Sequence, residues 1–180
     1  YYGGSMTSVV FQEIREAKAL AYSTYGYYGT PAKKEDPYSA GFYVGTQADK
    51  LSIAFDAMND LLNNFKESEQ NWQVGKTAIK QSMESDRITK TSILFNYQTA
   101  LKRGIDYDIR KDIYQQIDGI ALSDLKTFHS ETMQNKPWNI RVIGSKERLN
   151  MSDMAKYGKV VELSLKDVFG FEVDKKELKP

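Results

Sequence analysis

The chain has 180 residues, enough for one domain with a real core, and its 25 basic and 24 acidic residues leave a net charge of +1. This balance gives no electrostatic argument for binding nucleic acid or an anionic membrane, and no apolar run approaches the about 18 residues of a membrane span. One histidine and no cysteine argue against a catalytic zinc site, which normally draws three protein ligands.

The first segment predicts a glycine turn, a helix and a strand in direct succession. The helix is expected to end near Ala19, because an aromatic strand over residues 21–28 follows almost without a loop. This junction places one cation, Arg15, near one phenol, Tyr22. The pattern consists of Gly3-Gly4 for the turn, Ser5 or Thr7 as the helix cap, and Val10, Phe11 and Ile14 as the apolar face.

A second strand is predicted over residues 38–47, after a loop over residues 29–37 that is rich in proline and charge. The two strands predict an antiparallel hairpin over residues 20–47. Small residues on one face of the second strand would let another layer, or a peptide, come close. The tyrosines at 22, 25, 27 and 28 fit either core packing or a ligand-facing patch, and aromatic strand residues more often pack.

A block of helices follows the hairpin. The clearest covers residues 49–66, with Asp49 as its cap and apolar side chains at helical spacing on one face. Four further helices are predicted. One begins near Ser68 or Glu69, one covers residues 90–102, one begins at Asp106 or Asp108 and stops at Gly119, and one is capped by Ser123. In the helix over 90–102 the inward residues are predicted to be Ile93, Leu94, Tyr97 and Leu101, with Gly104 as the C-cap.

Two further strands are predicted where apolar residues alternate, over residues 138–144 and 160–165. Strands separated by a helical block indicate an α+β fold, with helices packed on one face of a mostly antiparallel sheet. We expect all the strands to share one sheet, with the helix over 49–66 packed across it. Residues 1–171 are predicted to form a single domain, followed by a charged tail over 172–180.

Four short motifs together resemble one family. They read Gly3-Gly4-Ser5-Met6, Val9-Val10-Phe11, Glu13-Ile14-Arg15-Glu16 and Leu20-Ala21-Tyr22-Ser23, and Asp167-Val168-Phe169-Gly170 agrees more loosely near the end. This pattern is similar to the pitrilysin or insulin-degrading-enzyme family of zinc peptidases, which includes the mitochondrial processing peptidases. The chain resembles the zinc-free half of those proteins, because the family's H-x-x-E-H motif is absent.

The resemblance implies a non-catalytic, substrate-embracing half of a zinc metallopeptidase. Arg15 and Tyr22 would project across the cavity and help to hold the backbone and carbonyl of a peptide substrate. Zinc and peptide-bond hydrolysis would belong to a partner half, either upstream on the same polypeptide or on a separate subunit, with no cofactor in this chain. The family domain also has strands and a helix before Tyr1, so the chain is truncated by comparison, and an exposed sheet edge could pair with a second copy.

The alternative is a structural or assembly subunit that kept the fold and lost peptidase function; intact Arg15 and Tyr22 favour the first reading. The lack of cysteine fits either the bacterial periplasm or the cytoplasm, so the compartment is not determined. His129 is interpreted as a surface or half-buried helix residue and not a metal ligand. Asp106 and Asp108 are interpreted as helix caps and not a calcium loop.

Overall fold

The computed structural model describes residues 1–171, so the predicted tail over 172–180 lies outside the described residues. The chain divides into two compact units, Tyr1–Ile143 and Gly144–Pro180. The assignment of residues 1–171 to a single domain stays a prediction. None of the described helices combines the length and the apolar character needed to cross a membrane.

The first unit holds a short N-terminal helix of π type, a hairpin and a helical block. Their bounds are Phe11–Ala17 for the N-terminal helix, Ser23–Gly29 for β1, Ser39–Gly45 for β2, Leu51–Asn63 for α1, Glu69–Ser85 for α2, Lys90–Lys102 for α3, Arg110–Gln116 for α4 and Leu122–Thr132 for α5. Single 3₁₀ turns precede α1 and follow α4, at Ala48–Lys50 and Ile117–Gly119. Helices and antiparallel strands occupy separate stretches, which confirms the α+β class.

The two strands form the predicted antiparallel hairpin, in register from Ser23 opposite Gly45 to Gly29 opposite Ser39. Directly opposed residues share a face of the sheet. One face carries Phe42 and Val44, which pack against the buried core. The other face carries tyrosines that all remain exposed, namely Tyr25, Tyr27 and Tyr43. Core packing of Tyr25 and Tyr27 was therefore the wrong expectation, because the core lies on the opposite face of the sheet.

The core joins α1 to the N-terminal segment. The predicted apolar face of α1 is buried and packs in one cluster with Phe42 and Val44 of β2, so the packing of this helix against the hairpin is confirmed. The buried members of this cluster are Val9, Val10, Ile14, Leu20, Ala21, Ala54, Ala57, Met58, Leu61 and Leu62. This arrangement anchors both the N-terminal helix and the start of β1.

The expectation of further strands in the same sheet was wrong. Residues 138–144 and 160–165 do not form strands, and within residues 1–171 the sheet has two strands. Trp138 packs against Phe42, but Ile143 is fully exposed. Alternation of side chains specifies a strand only where a neighbouring strand can take up the backbone hydrogen bonds.

Several helix ends also differ from prediction. The helix α2 begins at Glu69, as expected, and Ser68 caps it. Gly104, with φ +73°, ends α3, also as expected. The start of α5 is fixed by Asp124, which accepts the Ala121 N–H at 2.8 Å, and not by Ser123. In α3 the predicted inward residues Ile93, Leu94, Tyr97 and Leu101 are all exposed. That prediction was wrong, because no other described element covers their stripe.

The described part of the second unit holds two short helices. They are α6, Met151–Met154, followed by the 3₁₀ turn Ala155–Tyr157, and α7, Leu165–Phe169. The predicted strand near 165 is replaced by a helix start, because Ser164 and Asp167 form a reciprocal capping box. Gly170, with φ +76°, then ends α7.

Candidate functional site

The N-terminal segment is fixed by backbone contacts and not by a side-chain cap. The N–H groups of Val9 and Val10 donate to the carbonyls of Tyr1 and Tyr2, at 3.0 and 2.9 Å. Gly3 lies against Gly26 of β1, so closely that a Cβ at Gly3 would overlap the Gly26 backbone. The predicted cap by Ser5 or Thr7 was therefore wrong: Ser5 accepts the Thr7 N–H within the turn instead.

The N-terminal helix ends in a tight reversal. The N–H of Ala19 donates to the Arg15 carbonyl at 3.1 Å, and the N–H of Leu20 donates to the Ile14 carbonyl at 3.0 Å. Ala19 has φ +48°, a left-handed conformation that is uncommon for a residue with a Cβ. π-type turns and such backbone outliers cluster at functional sites. Here the reversal carries the chain from the helix into β1 within a few residues.

This reversal brings Arg15 and Tyr22 together, as the sequence predicted. The guanidinium carbon of Arg15 lies 5.5 Å from the centroid of the Tyr22 ring. The Tyr22 N–H donates to the Gly45 carbonyl at 3.2 Å, which ties its backbone to β2. Its side chain is 87% exposed, and the Arg15 side chain is 39% exposed. The sheet thus holds the backbone of Tyr22, the N-terminal helix holds that of Arg15, and both polar ends remain accessible.

The pair offers hydrogen-bond donors of two kinds. A guanidinium presents several N–H donors in a planar fork, and a phenol presents one O–H. Arg15 forms an ion pair with Glu16, at 3.6 Å between Nε and Oε1, and both side chains are solvated. An exposed ion pair of this kind is weak, so Glu16 leaves the fork able to bind an incoming acceptor. A carbonyl oxygen that gains negative charge is the acceptor such donors suit.

Phe11 is a third member of this site, and the sequence assigned it only to an apolar face. The Arg15 guanidinium carbon lies 4.7 Å from the centroid of the Phe11 ring. Phe11 and Arg15 are four residues apart on one helix, a spacing that brings side chains into contact. The aromatic–arginine spacing was therefore the signal that could have identified it.

His129 has a structural place away from Arg15 and Tyr22. It is 3% exposed, which corrects the expectation of a surface or half-buried residue. Its Nε2–H donates to the Leu61 carbonyl at 3.3 Å, and its ring stacks on Tyr2 at 5.3 Å. Burial lowers the pKa of the His129 imidazole, against a smaller opposing effect of the Leu61 carbonyl.

The other titratable candidates are also engaged locally. Asp108 accepts the Arg110 N–H at 3.1 Å and pairs with its guanidinium, in keeping with a capping role at the start of α4. Tyr107 donates to Asp112 at 2.6 Å. Within residues 1–171 no group of three or more His, Cys, Asp or Glu side chains is placed to hold a metal ion.

Comparison with known proteins identifies the segment that contains this site. The family description "Peptidase M16 inactive domain" matches residues 2–81. The chain is also 39% identical over 64 residues to a protein of Bacillus subtilis (strain 168) named "Uncharacterized zinc protease YmxG". That alignment covers 36% of this chain and only 15% of the length of the relative. The resemblance drawn from the sequence is confirmed to this extent: residues 2–81 match the inactive-domain model of the M16 peptidase family.

Proposed function

We propose that this chain is the zinc-free, substrate-embracing half of a zinc metallopeptidase. A separate zinc-bearing half, on the same polypeptide or on another subunit, carries out the peptide-bond hydrolysis. The family match of residues 2–81 supports a non-catalytic half that works beside a peptidase. The printed name of the B. subtilis relative, a zinc protease, supports the same class of reaction.

The observation that carries the proposal is the contact between Arg15 and Tyr22. The Arg15 guanidinium carbon lies 5.5 Å from the centroid of the Tyr22 ring, and both side chains are accessible. Arg15 is held by the N-terminal helix, and the backbone of Tyr22, just before β1, is bonded to Gly45 of β2. Donors that are already oriented toward a developing oxyanion can stabilise a transition state without reorganising. In this role Arg15 holds the peptide carbonyl and backbone, and the Tyr22 hydroxyl donates to the same carbonyl as it gains charge.

The zinc ion belongs to the partner half in this proposal. One histidine and no cysteine do not make the usual ligand set, and the described residues include no suitable cluster. No step through the metal is therefore assigned to residues of this chain. Compared with a purely structural subunit, the peptidase half is favoured because Arg15 and Tyr22 are both present, in contact and accessible to a ligand.

The experiment combines metal analysis with reconstitution. The chain alone should hold no stoichiometric zinc and cleave no peptide. A mixture with an H-x-x-E-H half from the same gene or a neighbouring reading frame should cleave a fluorogenic peptide library. One tightly held zinc per chain that is lost in His129→Ala, or an H-x-x-E-H half that is fully active without this chain, would overturn the proposal.

A further inference from the structure

The Arg15 guanidinium contacts two aromatic rings. Its Cζ atom lies 4.7 Å from the centroid of the Phe11 ring and 5.5 Å from the centroid of the Tyr22 ring. The two rings differ in exposure, since Phe11 is half-buried and Tyr22 is almost fully exposed. The nearer, better-anchored contact is therefore the one with Phe11.

We infer that Phe11 is a positioning residue, whose ring holds the Arg15 guanidinium beside Tyr22 and directs it toward the peptide carbonyl. This inference rests on the proposed function and adds a residue to the same site. A guanidinium over an aromatic face is held by the quadrupole of the ring and by stacking, and its N–H groups remain free at the edge of the plane. A carboxylate in the same place would occupy those donors.

The neighbouring contacts of Arg15 cannot replace the Phe11 ring. Glu16 is the adjacent residue, its 3.6 Å contact is made through Nε, and both partners are exposed, so the pair restrains the side chain weakly. Tyr22 is anchored through its backbone, and its ring, at 87% exposure, has few packing contacts that could hold the guanidinium in place. Among these three contacts of Arg15, Phe11 is the one that lies on the same helix and has a partly enclosed side chain.

The first measurement uses the 180-residue chain and nuclear magnetic resonance of the Arg15 Nε–H, assigned by its loss in Arg15→Ala. A ring face above the guanidinium shifts this signal upfield. Phe11→Leu and Phe11→Met should return it to the position of an exposed arginine, whereas Phe11→Trp should keep it displaced. Phe128→Leu is the matched control, because Phe128 is a half-exposed aromatic residue that contacts Tyr28 instead.

The second measurement is a double-mutant cycle in the two-half enzyme, with unchanged melting temperature as a condition. Phe11→Leu should lower kcat/KM by about two- to fivefold, the factor that a partly exposed cation–π contact supports, and Phe11→Tyr should retain the activity. In an Arg15→Ala background Phe11→Leu should have no further effect. A merely structural role would lower activity equally in both backgrounds.

The outcomes separate the two proposals. An Arg15 signal that does not move in Phe11→Leu, or equal losses in both backgrounds, overturns the positioning role and leaves the proposed function standing. Full activity of both Arg15→Ala and Tyr22→Phe overturns the proposed function, and the resonance shift then still decides whether Phe11 orients the guanidinium.

Discussion

The Arg15 guanidinium carbon lies 5.5 Å from the centroid of the Tyr22 ring, although Arg15 is in the N-terminal helix and Tyr22 lies just before β1. The contact depends on a reversal at Ala19, on the anchoring of Ile14 and Leu20 in the core, and on the pairing of β1 with β2. A change that loosens any of these supports should therefore affect the pair. These supports can be tested by measuring the free energy of unfolding of variants.

Gly3→Ala should destabilise the protein by about 3 kcal/mol, at the upper end of overpacking costs. The new Cβ would overlap the backbone of Gly26 in β1, which cannot rotate away as a flexible side chain could. The measurement is the free energy of unfolding from urea titration. Gly4→Ala is the matched control and should stay within about 0.5 kcal/mol, because nothing lies within 4 Å of its Cβ position. Equal effects of the two substitutions would contradict the close approach of Gly3 to β1.

Stability should fall as the pH drops below about 6.5, partly because of His129. Burial lowers the pKa of His129 in the folded state, so the unfolded chain takes up the proton first. The contribution is fully present above the unfolded pKa and is lost toward the lowered folded pKa, with a slope of at most about 1.4 kcal/mol per pH unit. Urea titrations at pH 7.5 and 5.5 should show a smaller change in His129→Gln than in the original protein. An identical pH response would show that His129 titrates normally.

Trp72→Phe should cost about 1–2 kcal/mol of unfolding free energy, because it removes a buried donor and leaves the Ile120 carbonyl with a poorer partner. The Trp72 indole N–H donates to that carbonyl at 2.9 Å, and the Lys76 ammonium reaches the same oxygen at 3.4 Å. Trp138→Phe is the matched control and should cost less, since Trp138 is only partly buried and packs against Phe42 through its ring. A larger loss for Trp138→Phe would contradict the assigned role of the hydrogen bond.

The elements that the sequence predicted well are those with local signals. Three such predictions depend on residues close together in the chain: the apolar face of α1, the start of α2 near Ser68 and the β1–β2 hairpin. The predicted strand over 138–144 failed because a strand needs a partner that local alternation cannot supply. The strand expected over 160–165 is also absent. Residues 160–164 are irregular, and the Ser164 and Asp167 capping box, a local signal that alternation concealed, starts α7 at Leu165.

The candidate site could be predicted only in part. From composition alone, Arg15 would be interpreted as an exposed residue that pairs with Glu16, and the structure contains that ion pair. The spacing of Arg15 and Tyr22 became informative through the family motif and through the expected helix–strand junction. The left-handed Ala19 was not foreseen, because it depends on how the helix ends. The contact of the Phe11 ring with Arg15 was missed although their spacing of four residues on one helix is a local signal.

The central claim is that Arg15 and Tyr22 hold the peptide carbonyl in the two-half enzyme. Tyr22→Phe removes one hydroxyl from an 87% exposed side chain and should leave the melting temperature unchanged. Loss of a donor that acts in the transition state typically lowers the rate about a hundredfold or more. Arg15→Ala should also weaken substrate positioning, and Arg15→Lys should restore little, because a point charge does not replace the fork. Tyr25→Phe is the matched control, because Tyr25 is an exposed phenol of β1 that stacks on Tyr43 and not on Arg15.

The most direct measurement is kcat/KM of the reconstituted two-half peptidase with Tyr22→Phe, Arg15→Ala, Arg15→Lys and Tyr25→Phe. The account predicts losses of about a hundredfold for Tyr22→Phe, a clear loss for both Arg15 variants and full activity for Tyr25→Phe. Full activity of both Tyr22→Phe and Arg15→Ala, at unchanged melting temperature, would contradict it and would favour a structural subunit.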